Sequence, residues 1–304
     1  MNKIVILFCS VILLIASLIP TGCASPAAPG NITDDLGRNV HIEAIPDRIV
    51  SLAPSNTEIL FALGLGDKVV GVTDYCNYPD EAKKKPSIGG FSTVNIEAVV
   101  ALEPDLLLAT ERHSKTVIPA LENLGYTIVA LSPKTLDGVI ESIALVGEIT
   151  GAQKEASQLT GTLQKRIDNV KSITTDIEQD KKPRVLYLTW HDPLMTAGTG
   201  TLANDVITTA GGINIAGDIS GDNTISLETV IDRNPQTIIA SVGMGTGEDL
   251  PWQYVQTEPR LKITDALKNE QLYKIDGDLI HRAGPRIVDA LEIMAQFFHP
   301  ELFE

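Results

Sequence analysis

At 304 residues, the chain is long enough for two domains of ordinary size, each with its own apolar core. Lys and Arg number 24 against 39 Asp and Glu, a net charge of −15 with no basic stripe, which excludes nucleic acid as a partner. The three cysteines, Cys9, Cys23 and Cys76, provide no disulfide framework, so stability has to come from burial.

Lys3 followed by the apolar run Ile4 to Ile19 has the layout of a secretory signal, and residues 1–22 read as a leader. Thr21, Gly22 and Cys23 place a small residue before a cysteine, the pattern of a lipoprotein signal, with Pro20 where leucine is usual. Cys23 is the expected lipidation site. Residues 23–33, opening with the small, Pro-rich stretch Ala24 to Gly30, read as a lipidated tether. The rest of the chain is expected outside the cytoplasm, anchored to the cell membrane, on the periplasmic side where there are two membranes.

Arg48 to Leu52 is a short β-branched run that reads as a buried strand, and Thr57 to Leu65 takes helical spacing before stopping at Gly64 and Gly66. Val69 to Thr73 reads as a second strand. Ile96 to Leu102 reads as a helix closed by Pro104, and Asp105 to Ala109 as a third strand. Val117 to Leu124 reads as a helix ended by Gly125, and Thr127 to Leu131 as a fourth strand. Strands alternating with helices predict a parallel sheet covered on both faces, so 34–134 is expected to form an N-terminal α/β lobe.

From Leu136 to about Ile177 there is no strand-like run. Apolar residues recur at helical spacing through Val139, Ile143, Val146, Ile149, Leu159, Leu163, Ile167 and Val170. A helix of about 20 to 25 residues after Gly151 would span over about 30 Å, a length suited to a rigid strut. Residues 135–180 therefore read as a helical linker. Beyond it, Val185 to Trp190, Thr237 to Ser241 and Leu272 to Ile275 read as strands. Leu202 to Ala210, Leu227 to Arg233, Arg260 to Leu267 and Ile287 to Phe298 read as helices, giving a C-terminal α/β lobe over 181–304. The expected fold class is α/β: two α/β lobes with central parallel sheets joined by one long rigid α-helix.

Asn95 to Ala109 matches Ser226 to Ala240 without a gap, each reading helix with an early glutamate, then proline, then strand. Such an echo predicts pseudo-equivalent lobes. In open parallel sheets, ligands sit beyond the carboxyl ends of strands. Aromatic residues make up only 5% of the chain, yet Tyr75, Phe91 and Trp190 fall in those loops, together with His113, His191 and His281. Flat aromatic walls with a few polar groups suit a large planar ligand. Arg282 and Arg286 flank a Gly-Pro turn before the last helix, and Arg282 is the better placed to hold an anionic group. The candidate ligand residues are thus Tyr75, Phe91, Trp190, His191, His281 and Arg282.

Several motifs carry a family resemblance: Arg48 to Glu58, Val70 to Thr73, Tyr78-Pro79, Asn95 to Glu97 with Pro104-Asp105, and Arg282 to Ile287. They resemble the cobalamin and iron-siderophore periplasmic binding proteins, the substrate-binding components of ABC importers, over nearly everything from Asp34 onward, with the likeness leaning to the cobalamin-binding members. That resemblance implies two α/β lobes joined by one long helix, limited hinge motion, no enzymatic activity and a monomeric carrier. It also implies that Glu97 and Glu228, the glutamates of the internal echo, dock onto a dimeric membrane permease; as plain structure they are helix N-terminal charges. The implied cargo is a corrinoid, with haem second and a ferric siderophore third, and no resident cofactor. Phe91 and Thr110 stand where the cobalamin protein has tryptophan, and Asp222 lies near another such position.

Other classes leave weaker traces. A zinc or manganese carrier would need about four converging His, Asp or Glu ligands. An enzyme would need a catalytic grouping, and the sequence shows no trustworthy Ser-His-Asp set, Walker loop or CxxC. Gly243 to Gly247 lacks the spacing of a dinucleotide loop.

Overall fold

The computed structural model describes residues 30–243 and 249–303. The leader, Cys23 and most of the Gly243 to Gly247 segment lie outside them. The first described element is a hairpin of β1 (Gly30–Thr33) and β2 (Asn39–Ile42), so residues 30–33, read above as tether, are paired strand. The reason is apolar: Ile32 and Ile42 are buried against the core, and Asp34 anchors the turn through Arg38 and the Ala130 amide.

The first lobe is a four-stranded parallel sheet in the order β4-β3-β5-β6, built from β3 (Ile49–Ser51), β4 (Val69–Val72), β5 (Leu106–Ala109) and β6 (Ile128–Ala130). Its helices are α1 (Pro54–Ala62), α2 (Ile96–Ala101) and α3 (Val117–Glu122). All four residues of β5 are buried, which is why that strand reads as a continuous apolar run rather than an alternating one.

Two helices follow, α4 (Leu136–Thr150) and α5 (Gln153–Thr174), the second 22 residues long as the periodicity predicts. Between them Gly151 takes the left-handed conformation at φ 76°, reversing the chain with almost no loop. The reversal brings the helices so close that a Cβ on Gly147 would lie 2.3 Å from the Ala156 Cβ.

The second lobe has a six-stranded sheet in which β7 (Arg184–His191), β9 (Ile213–Asn214), β11 (Thr237–Val242) and β12 (Leu272–Asp276) are parallel. Two antiparallel strands, β8 (Leu194–Ala197) and β10 (Asp222–Thr224), extend it on one edge. Its helices are α6 (Leu202–Thr209), α7 (Leu227–Arg233), α8 (Leu250–Thr257), α9 (Asp265–Lys268), α10 (Gly277–His281) and α11 (Ile287–Phe298). The expected helix Arg260 to Leu267 is broken into a 3₁₀ turn and α9. Thr264 interrupts it with extended backbone, its buried hydroxyl donating to the Leu261 carbonyl at 2.7 Å.

The internal echo is reproduced in several matching hydrogen bonds. Arg48 at the start of β3 donates to the carbonyls of Leu102 and Glu103, and Arg184 at the start of β7 donates to those of Arg233 and Asn234. Asp105 accepts from the Arg48 amide as Gln236 accepts from the Arg184 amide. Even the left-handed residues coincide, Glu103 at φ 46° and Asn234 at φ 43°. Both lobes therefore tie the end of one helix to the start of a neighbouring strand in the same way.

One apolar cluster runs through the whole molecule. It joins Ile59 and Leu108 of the first lobe to Ile143, Val146 and Ile167 of the linking helices, and these to Tyr187, Met294 and Leu291 of the second. Each fully buried side chain of this size stabilises the fold by roughly 1.5–3 kcal/mol, so the lobes share core rather than merely touching. Separate apolar layers cover the outer faces of the two sheets, around Leu107 and Leu121 in one and Ile238 and Val255 in the other.

Candidate ligand-binding cleft

A cleft of about 670 Å³ opens between the lobes, walled by loops that follow β5 and β6 on one side and by residues of the second lobe on the other. Its volume falls within the usual range for small-molecule sites, about 300–1,000 Å³. The first wall presents Phe91, Arg112, Lys115 and Lys134, and the second presents Asp222 and His281. Ser55 and Ala283 form the floor where the lobes meet.

Phe91 is held by His113. The buried His113 ring lies edge-on to the phenyl at 5.2 Å, its Nε2 donates to the Phe91 carbonyl at 2.9 Å, and its Nδ1 accepts from the Thr110 amide at 3.1 Å. Burial pushes the His113 pKa down, so the neutral ring that this pairing requires is favoured. Both of its nitrogens are therefore committed to the loop. Of the cations on this wall, Lys134 is paired with Glu111 at 2.7 Å, and Arg112 donates to Ser92 at 3.0 Å.

On the opposite wall, His281 ends α10. Its Nε2 meets the Tyr187 phenol at 2.9 Å, and the side chain is exposed in the cleft while protein surrounds it. That surrounding protein lowers the His281 pKa, and complete burial raises that of Tyr187, so both groups are neutral near pH 7. The buried Ser241 hydroxyl lies beside the phenol.

Arg282 points elsewhere. Its guanidinium pairs with Glu58 at 3.0 Å and Asp278 at 2.6 Å, and donates to Asn77 at 2.7 Å and to the Tyr75 carbonyl at 3.3 Å. Arg286 shares Glu58 at 2.6 Å and lies over the Tyr78 ring at 4.0 Å. Glu58, on α1, is buried, so a single carboxylate of the first lobe binds two guanidinium groups of the second. That pairing raises the Arg286 pKa and keeps it charged. Sequence reasoning missed Glu58, although an acid within the apolar run Thr57 to Leu65 was a signal that it needed a partner.

The remaining candidates divide. Tyr75 is exposed beside Gly90 near the cleft. Trp190 and His191, expected in a loop, belong to the β7–β8 hairpin, and neither lines the cleft. Trp190 donates to the Asp192 carbonyl at 2.9 Å, and the His191 ring lies between Trp190 and Tyr254. The structure thus brings Phe91 and His281 to the cleft, Tyr75 and Arg282 to its floor network, and leaves Trp190 and His191 apart.

Glu97 and Glu228 occupy matching places, each exposed in the first turn of a capped helix. Asn95 caps α2 by accepting from Ala98 at 3.1 Å, and Ser226 caps α7 by accepting from Thr229 at 3.0 Å. Arg260 approaches Glu228 to 3.9 Å. No grouping of three His, Cys, Asp or Glu suited to a metal ion occurs among the described residues, and no helix among them is long and apolar enough to cross a membrane.

Comparison with known proteins agrees with this architecture. Residues 49–279 match the family described as periplasmic binding protein. The ABC transporter substrate-binding lipoprotein YvrC of Bacillus subtilis is 33% identical, covering 96% of each chain. The vitamin B12-binding protein of Vibrio cholerae is 29% identical over 81% of this chain and 87% of its own length. Among solved structures, a periplasmic heme binding protein from Pseudomonas aeruginosa superposes with a TM-score of 0.75 at 27% identity, covering 84% of this chain and 94% of that one.

Proposed function

Because this chain belongs to the periplasmic binding protein family and is a substrate-binding protein of an ABC transporter, we propose that it captures a corrinoid between its lobes and delivers it to a membrane permease. The observation that carries the cargo class is the cleft itself, with Phe91 on one wall and an open imidazole, His281, on the other. A flat face against an aromatic ring and a nitrogen toward its centre suit a metal tetrapyrrole. Tyr75 borders the opening, while Arg282 supports the floor through Glu58. His281 favours haem as a second reading.

In this reading residues 1–22 are removed, Cys23 carries lipid, and the mature chain works outside the cytoplasm as a monomer. The lobes comprise residues 34–134 and 181–304, with 135–180 between them. Glu97 and Glu228 meet the two halves of the permease, supported by their matched caps and exposure. The relatives are transport proteins, in keeping with a carrier that catalyses nothing.

Titration of the mature chain with cyanocobalamin, haemin and ferric siderophores, followed by absorbance or calorimetry, tests the cargo. Saturable binding of the corrinoid is the expected result; stabilisation by zinc or manganese alone overturns it. For docking, Glu97→Arg with Glu228→Arg should abolish transport at unchanged ligand affinity, and normal transport by that variant removes the assignment.

A further inference from the structure

Three histidines follow strand ends toward the cleft side of the molecule, and their environments differ sharply. His113 uses both nitrogens to hold Thr110 and Phe91. His191 is packed in the β7–β8 hairpin against Trp190 and Tyr254, its Nδ1 buried without a partner among the described residues. His281 alone of the three is exposed and lines the cleft. One of its nitrogens, Nε2, is bound to the Tyr187 phenol at 2.9 Å, and Nδ1 has no hydrogen-bond partner among the described residues.

That arrangement is the one a metal-binding imidazole requires. A ligating histidine ordinarily donates its second ring N–H to a fixed acceptor, which selects the tautomer and aims the free lone pair. Tyr187 is fully buried on β7, so its phenol is a fixed partner for Nε2, and in the tautomer that carries its proton on Nε2 the phenol accepts it and the Nδ1 lone pair is bare. The protein around His281 disfavours the imidazolium, which keeps that lone pair available near neutral pH. Asp222, on the same wall, adds a carboxylate that favours positive charge nearby.

Resting on the tetrapyrrole reading above, we propose that His281 is an axial ligand, binding through Nδ1 to the metal of the captured macrocycle, with Tyr187 as its positioning residue. The step is a ligand exchange: the bond from the metal to an exchangeable water breaks, the bond to Nδ1 forms, and water leaves with no change in oxidation state. The site therefore selects tetrapyrroles with an open or exchangeable axial position. A corrinoid whose upper face is closed by cyanide gains nothing from His281.

The test compares aquocobalamin, cyanocobalamin and haemin on the mature chain, reading the visible spectrum and the dissociation constant together. The wild-type protein should bind aquocobalamin about tenfold or more tighter than cyanocobalamin and shift the bands of both aquocobalamin and haemin. His281→Gln, which retains a side chain able to reach the phenol, should abolish the preference and both shifts. Tyr187→Phe should keep the shifted spectra while weakening binding by about 10- to 100-fold. Phe91→Ala should weaken all three probes without moving the spectra, separating wall contact from coordination. Equal affinities for the two cobalamins together with spectra indifferent to His281→Gln overturn the axial role and leave the carrier reading intact. Failure of every tetrapyrrole to bind the wild-type chain removes the axial role and the tetrapyrrole reading together.

Discussion

The lobes are joined twice, by chemically opposite means. One joint is helical and apolar: Ile143, Val146, Ile167 and Val170 of α4 and α5 are fully buried in a cluster that continues into both lobes. The other, under the cleft floor, is ionic, with Glu58 of α1 gripping Arg282 and Arg286 of the second lobe. In the first, stabilisation is spread over many side chains, and the loss of one leaves the rest in contact. In the second it is concentrated on a single buried carboxylate, whose removal leaves Arg286 without a carboxylate and Arg282 with Asp278 alone. A spread joint tolerates the loss of one member, whereas a concentrated joint depends on one residue, which also fixes how the two lobes are placed.

Variants at the two joints separate these roles. Glu58→Ala should be the most damaging single change, costing about 3–5 kcal/mol in urea denaturation, because Arg286 loses its carboxylate partner and Arg282 keeps only Asp278 in a largely buried site. Ile167→Ala should cost about 2–5 kcal/mol through lost burial and an unfilled cavity, and should leave cleft affinity close to wild type. If Glu58→Ala proves milder than Ile167→Ala, the ionic joint is an accessory and the comparison fails. Gly147→Ala should destabilise by about 1–3 kcal/mol by overpacking against Ala156, although alanine ordinarily improves a helix. A stability gain there would show that α4 and α5 can slide apart. Arg166, which links α5 to Asp289 and Glu292 on α11 at 2.6 Å each, is partly exposed. Arg166→Ala should cost under about 1 kcal/mol, and a double-mutant cycle with Glu292 measures it.

Much of the lobe architecture was legible because it is written in local patterns. The apolar run Leu106 to Ala109, the helical spacing from Val139 to Val170 and the repeat of Asn95 to Ala109 in Ser226 to Ala240 each report an element or a relation directly. What escaped was tertiary. The β7–β8 hairpin turns at Asp192-Pro193, a pair that reads as the end of a strand, so Trp190 and His191 were expected in a ligand loop rather than in a hairpin. Helix α10 has only five residues, too few for periodicity to show. Arg282 was recognisable as a cation needing an anion, but its partner Glu58 lies 224 positions away, and no spacing connects them. Phe91 and His281 reached the cleft because strand ends in a parallel sheet converge there whatever the details between them.

The shared core also bears on how much water the molecule exchanges when it captures cargo. Carriers that clamp shut expel the solvent of an entire interdomain gap, and osmolytes excluded from protein surfaces then tighten their binding. Here Ile59, Ile167 and Leu291 belong to one continuous interior and Glu58 ties the floor together, an arrangement that predicts little closure. The water released is then the water the ligand itself displaces. Affinity should stay nearly flat across a sucrose series, a hydration signature that separates a preformed socket from a closing trap.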